Sequence, residues 1–147
     1  MITRRDLMVA LFSVTATVTV VAFARSENSV MTSMVWDWNK IPATPTKVGA
    51  VRKFFQAPTP TLKDLECHVT TLNPGETPHA PHKHPAEEVL IIREGTVEVL
   101  NNGEYKRVGP GSVIFQASNQ MHTIKNVGTT PATYHVFQWV SEKTPAK

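Results

Sequence analysis

From Thr46 onward, short runs in which apolar and polar residues alternate are each closed by Gly, Pro or Asn. A period of two over four to nine residues is the mark of half-buried β-strands. "TKVGAVRKFF" is one such run, and "DLECHVTTL" is another, ended by "NPGETP". "EEVLII" and "TVEVL" are joined through Arg93, Glu94 and Gly95, and "TVEVL" meets "EYKRV" across Asn101, Asn102 and Gly103. Asn-Gly is a strong tight-hairpin signal because both residues tolerate positive φ. "GPG" then breaks the chain before "SVIFQ", and "GTTP" separates "HTIKNV" from "ATYHVFQWV". No helical period runs through any of these segments. Many short strands at this spacing predict an all-β fold, an antiparallel sandwich or barrel.

The first 24 residues are built differently. Arg4 and Arg5 precede an apolar run from Leu7 to Phe23, which closes on Ala22-Phe23-Ala24. A positive start, an apolar stretch and a small-x-small end are the parts of an export signal. The paired arginines, with Thr3 before and Leu7 after, resemble a twin-arginine signal, and Ser13, Thr15, Thr17 and Thr19 dilute the apolar run as in such signals. The expectation is a signal peptide at 1-24, cleavage near Ala24, and a periplasmic or extracellular bacterial protein that meets the export machinery. An uncleaved anchor is the alternative, but the run is at the short edge of a bilayer span. Residues 25-45 read as a lead-in arm in which Trp36 and Trp38, on alternate positions, form a short strand laid on the body. Residues 46-147 are the β domain.

Composition narrows the rest. A chain of 147 residues is one domain by length. The net charge of +3 comes from scattered basic residues rather than one basic face, which argues against nucleic acid as a partner. Cys67 is the only cysteine, so no internal disulfide forms and packing must hold the domain together. Twin-arginine export carries folded proteins, which agrees with the missing disulfide and with a cofactor loaded before export.

The chemistry is concentrated in "PHAPHKHPAEEV", residues 78-89, which holds His79, His82 and His84. In an extended strand residues two apart face the same way, so His82 and His84 project together. Glu88 keeps that parity if the chain stays extended past Pro85, with Leu90 and Ile92 facing inward and Val89, Ile91 and Arg93 outward. His122, Ile124 and Asn126 share a face in "HTIKNV". A lone histidine in a strand is usually a satisfied polar residue, but burying two imidazoles with a carboxylate and no metal is costly. Two imidazoles, a carboxylate and a third imidazole from a distant strand suit one divalent transition ion, whether Fe, Mn, Ni, Cu, Co or Zn.

These residues carry a family resemblance. "HKHPAEEVLIIREG" is similar to the first cupin motif, His-x-His, three residues, Glu, six residues, Gly, at His82, His84, Glu88 and Gly95. "GSVIFQASNQMHTIKN" is similar to the second at Gly111, His122 and Asn126, with Ala117 in place of its proline and Asn119 in place of its second glycine. Asparagine accepts positive φ, so that turn survives the change. Six residues rather than five separate Gly75 from His82, a loop one residue longer. The resemblance implies a cupin-type antiparallel β-barrel, a jelly roll or double-stranded β-helix, holding one metal on His82, His84, Glu88 and His122.

Other residues are weighed as follows. His79 is a rim residue, or else a partner that orients a ligand imidazole or shuttles protons. His68 and His135 are each either pocket-lining or simply packed. Glu87, of opposite parity to Glu88, is expected in solvent, and Cys67 is expected to be buried. A pocket lined by Leu90, Ile92 and Ile124, with Asn126 nearby, is largely apolar. The resemblance implies dioxygenase, decarboxylase, isomerase or lyase chemistry, and the apolar pocket favours a dioxygenase-like oxidoreductase acting on a small oxygenated molecule. The alternative is a non-catalytic binder of metal or small ligand. Pairing into a homodimer, as is common among cupins, is expected, with the tryptophan arm as an exchanged element.

Overall fold

The computed structural model describes residues 29-146, so the signal expected at 1-24 lies outside them. Nine strands follow one another: β1 (Thr44–Thr46), β2 (Gly49–Ala57), β3 (Asp64–Leu72), β4 (Glu87–Glu94), β5 (Val97–Asn101), β6 (Glu104–Val108), β7 (Val113–Gln116), β8 (Thr123–Asn126) and β9 (Ala132–Val140). They form a six-stranded sheet ordered β1-β2-β3-β9-β4-β7 and a three-stranded sheet ordered β6-β5-β8. All pairings are antiparallel. The sheets face each other as the two walls of a jelly roll rather than closing into one hydrogen-bonded ring.

The expected strands all form from β3 to β9, although β6 is exposed from Glu104 to Arg107 rather than alternating. In β4, Leu90 and Ile92 are buried while Ile91 and Arg93 are exposed. Val89 is only half-buried, flanked on its face by Phe115 and Phe137 from the neighbouring strands. The core between the sheets joins Leu72, Leu90, Ile92, Ile114, Tyr134 and Val136 to Val97, Val99 and Ile124. The β5–β6 hairpin turns on Asn102 (φ 50°) and Gly103 (φ 79°), the left-handed pair of a two-residue turn, while Asn101 stays paired with Glu104.

Two expectations fail locally. "TKVGAVRKFF" is not one strand, because Lys47 and Val48 turn the chain between β1 and β2, where Thr46 pairs with Gly49. The tryptophan arm is not a strand either: Trp38–Lys40 is a 3-10 turn, begun by Asp37, whose Oδ1 accepts from the Asn39 N–H at 2.9 Å. That local capture competes successfully with extension. The arm still packs on the outer face of the large sheet. Trp36 meets Phe55 at 4.5 Å between ring centres. The Trp38 ring is contacted by the guanidinium groups of Arg52 (4.4 Å) and Arg93 (4.3 Å), which fixes the outward course of Arg93.

Cys67 is buried in β3, as expected. Burial, reinforced by the Glu66 carboxylate, pushes its thiol from 9.0 up to about 11. The folded-state value is the higher one, so stability is complete below the unfolded value and is lost as pH climbs through the folded one. A shift of this size removes roughly 2–3 kcal/mol across that window. Denaturant melts between about pH 8 and about pH 11 should show this slope, and Cys67→Ala should flatten it.

Candidate metal centre

Three prolines, Pro78, Pro81 and Pro85, keep the histidine-rich segment from joining a regular strand. His82 is placed instead by an isolated bridge to His122: each backbone N–H donates to the other's carbonyl, at 3.1 and 2.9 Å. The His84 carbonyl accepts from Asn119 N–H at 2.8 Å, and Asn119 sits at φ 58° within the Ala117–Gln120 turn. Asparagine at the glycine position therefore keeps the turn, and the turn holds His84. His82 and His84 do face one way, but the bridge and the turn achieve it rather than strand parity.

The three rings converge. Their centres are 5.3 Å apart for His82–His84, 4.5 Å for His82–His122 and 4.8 Å for His84–His122. One nitrogen of each lies within 4.8 Å of the others. From the first turn of β4, Glu88 Oε1 comes within 3.3 Å of His122 Nε2 and 4.0 Å of His84 Nε2.

Backbone contacts set the tautomers. His84 Nδ1 donates to the Ala86 carbonyl at 2.9 Å, and His122 Nδ1 to that of Gln120 at 2.8 Å. Each ring is then left with an Nε2 lone pair, the form a metal requires. His122 Nε2 and His82 Nδ1 are buried without a hydrogen-bond partner. The short approach of Glu88 to His122 Nε2 is thus one of lone pair towards lone pair, which is unfavourable unless a cation or proton lies between. Three neutral imidazoles and a carboxylate also form the mixed nitrogen and oxygen donor set of a divalent transition ion, so the residues present fit one.

Electrostatics agrees. Burial, then the positive charge of His79, His122 and His84, lowers the His82 pKa and favours its neutral, ligating form. Burial pulls the Glu88 carboxyl up, but the contact with His122 and the charges of the three rings outweigh it, and the net direction is down. Contact with Glu88 raises His122 against the opposing effect of burial. The carboxylate stays ionised and attracts any cation, metal or proton, to the ring beside it.

The donors open onto a cavity of about 430 Å³ between the sheets. Leu90 and Ile124 line it as expected, whereas Ile92 lies in the core cluster and is not part of the cavity wall. Asn126 is a structural clamp rather than a pocket residue: its amide donates to the carbonyls of Leu72 (3.0 Å) and Thr130 (2.9 Å) and accepts from Gly128 N–H at 2.9 Å. Asn126→Ala should cost about 2–4 kcal/mol in a thermal or denaturant melt, since it strands one buried and two partly buried backbone groups.

His79 is exposed at the rim, its ring edge-on to His82 at 3.9 Å between centres, and its carbonyl accepts from the hydroxyls of Thr77 (3.0 Å) and Thr123 (3.1 Å). Glu87 is not left to solvent; it is half-buried and accepts from Trp139 Nε1 at 3.1 Å. His135 packs against Trp38 and Phe137 outside the cavity, while His68 lines it. The cavity is also more polar than expected, with Thr70, Gln116, Tyr134 and Gln138 in its wall. Their signal is inward parity combined with register: Gln116 and Gln138 flank Glu88 on β7 and β9.

Residues 68–138 match the cupin domain family. The chain is 35% identical over 96 residues to the tetracenomycin polyketide synthase protein TcmJ of Streptomyces glaucescens, covering 65% of this chain and 55% of that one. It thus spans about half the length of that relative. Among solved structures it resembles KdgF from Halomonas sp. (18% identity, TM-score 0.60, covering 78% of this chain and 100% of that one). It also resembles the polyketide cyclase RemF from Streptomyces resistomycificus (19% identity, TM-score 0.59, covering 74% and 80%). The span that matches the cupin domain model contains His82, His84, Glu88 and His122, and the two jelly-roll walls agree with the fold of that family.

Proposed function

We propose that this protein is an exported mononuclear-metal enzyme, a dioxygenase-like oxidoreductase acting on a small oxygenated organic molecule. The observation that carries the reading is the convergence of His82, His84, His122 and Glu88 on the wall of a cavity of about 430 Å³. That volume suits a drug-sized ligand or smaller. A divalent transition ion held there by His82, His84, His122 and Glu88 would supply Lewis acidity to a bound molecule. The protein's own part is to hold the rings in the ligating tautomer through Ala86 and Gln120, and to enclose the bound molecule between Leu90, Ile124 and Val136. The likeness to TcmJ, a polyketide synthase protein, supports an oxygenated, polyketide-like substrate.

Elemental analysis of the purified mature chain should find one equivalent of a transition metal, and azide should perturb the spectrum of a coloured or cobalt-substituted form. A spectrum indifferent to azide would favour a non-catalytic binding protein. Export is proposed from Arg4 and Arg5 and is tested separately: changing both to lysine should leave precursor in the cytoplasm. We further propose a homodimer, supported by edge strand β7 with Val113 and Phe115 exposed, and sedimentation would measure it.

A further inference from the structure

One group of polar side chains on the cavity wall has no part in the metal centre. In β3, Glu66, His68, Thr70 and Leu72 share one parity, and of these His68 and Thr70 line the cavity. His68 Nδ1 donates to Glu66 Oε1 at 3.0 Å, and both side chains are about four-fifths buried, at 21% and 20% exposure. A carboxylate that takes the Nδ1 proton fixes the tautomer and leaves the Nε2 lone pair as the free basic atom of a ring that lines the cavity.

The surroundings isolate that atom as the base available to a bound molecule. His82, His84, His122 and Glu88 are committed to one another, and His79 stands at the exposed rim. Tyr134 is held protonated by burial, which raises its phenol far above the usual range. Of the elements packed against His68, β2 presents Lys53 directly opposite, exposed to solvent, and β9 presents Val136, with Tyr134 and Gln138 on either side. No lysine or arginine is among the described residues lining the cavity. A ligand that arrives already anionic, such as a phosphate ester, finds no cationic lysine or arginine side chain there. A neutral acid that surrenders its proton inside finds a base backed by a carboxylate. Val48, Val51, Pro78, Leu90, Ile124 and Val136 would cover a flat apolar body.

We propose that Glu66 and His68 form a carboxylate–imidazole dyad that accepts the hydroxyl proton of a phenolic or enolic ligand, so that the cavity selects such compounds and holds them as anions. In the step, the ligand O–H bond breaks, an Nε2–H bond forms on His68, the electron pair stays on the ligand oxygen, and the Glu66 carboxylate balances the imidazolium. This names the substrate class for the proposed function and rests on that cavity being the binding site. It does not depend on which metal the site prefers.

The test uses the mature protein as purified, with metal content measured in every sample. The probe is 4-nitrophenol, a monodentate phenol whose phenolate absorbs visible light. It is titrated at a pH where the free probe is mostly protonated. Wild type should bind it with the phenolate spectrum. His68→Gln should bind it as the neutral phenol about tenfold more weakly, a loss of about 1.4 kcal/mol, with Glu66→Gln in between. Metal content should be unchanged in both variants, and Lys53→Ala should behave as wild type. An undiminished phenolate signal in His68→Gln overturns the dyad, as does a wild type that fails to bind the probe, or loss of the signal in Lys53→Ala alone. Stoichiometric metal with an unchanged His68→Gln spectrum would refute the dyad and leave the metal reading standing. A His68-dependent spectrum in a metal-free wild type would do the reverse.

Discussion

His122→Ala is expected to yield a folded protein that has lost its metal, with affinity weakened at least about 100-fold relative to wild type. Of the four donors, His122 is the most deeply buried, at 3% exposure, and lies closest to Glu88. Removing its ring leaves two imidazoles and a carboxylate, one donor short. The fold should survive because His122 is bonded to His82 through the backbone, in two hydrogen bonds that alanine keeps. The change also removes the partner of Glu88 and of the Gln120 carbonyl, so metal-free stability should fall by about 1–3 kcal/mol. Elemental analysis beside a circular dichroism melt separates the two effects. His79→Ala is the control: it lies at the rim outside the converging set and should retain full occupancy. An alanine at 122 that still carried one equivalent of metal would remove His122 from the donor set.

The largest expected loss of stability comes from Gly95→Ala, at the connection between β4 and β5 where the chain leaves one sheet for the other. Gly95 has φ +84°, already unfavourable for any side chain. A Cβ built there would lie 2.6 Å from Ala132 Cα and 2.8 Å from the Pro131 carbonyl oxygen. Both are backbone atoms at the start of β9, so relief requires moving the strand pair rather than a flexible side chain. Strain of both kinds should cost about 3–5 kcal/mol, enough to lower the melting temperature by more than about 10 °C. Gly75→Ala isolates the conformational part: its φ of +81° is similar, but nothing lies within 4 Å of the added carbon. That substitution should cost only about 1 kcal/mol. Equal losses at the two positions would mean that the approach to Ala132 is not what requires glycine.

Much of this was legible in the chain, for physical reasons that differ by element. Strands such as β4 and β7 could be read because one face of each is buried and burial imposes a period of two, whereas the exposed β6 was marked by its Asn-Gly turn. The Asn102-Gly103 hairpin and the Asn119 turn could be read because positive φ restricts residue choice. The convergence of His82, His84, His122 and Glu88 was also expected, although by an argument that was partly mistaken. His82 and His84 share a direction through the His122 bridge and the Asn119 turn, both contributed by a segment far along the chain. The arm around Trp38 escaped because a single Asp37 cap redirects three residues. Gln116, Tyr134 and Gln138 escaped because their place in the wall depends on the register of β7 and β9 against β4, which no local window contains.

The His82–His122 bridge has a consequence for the order of folding. It joins positions about 40 residues apart, a closure that costs an unfolded chain roughly 3 kcal/mol in entropy. His82, His84 and Glu88 are close in sequence, but they converge with His122 only when the Asn119–His122 segment pairs with them. Tight binding is therefore a property of the finished sandwich, and an ion would be taken up as a late event rather than as a nucleus. Once in place it ties the early half of the domain to the late half. Its departure would then be timed by the rate at which the two sheets part, and slow release would serve as a clock for the opening of the fold.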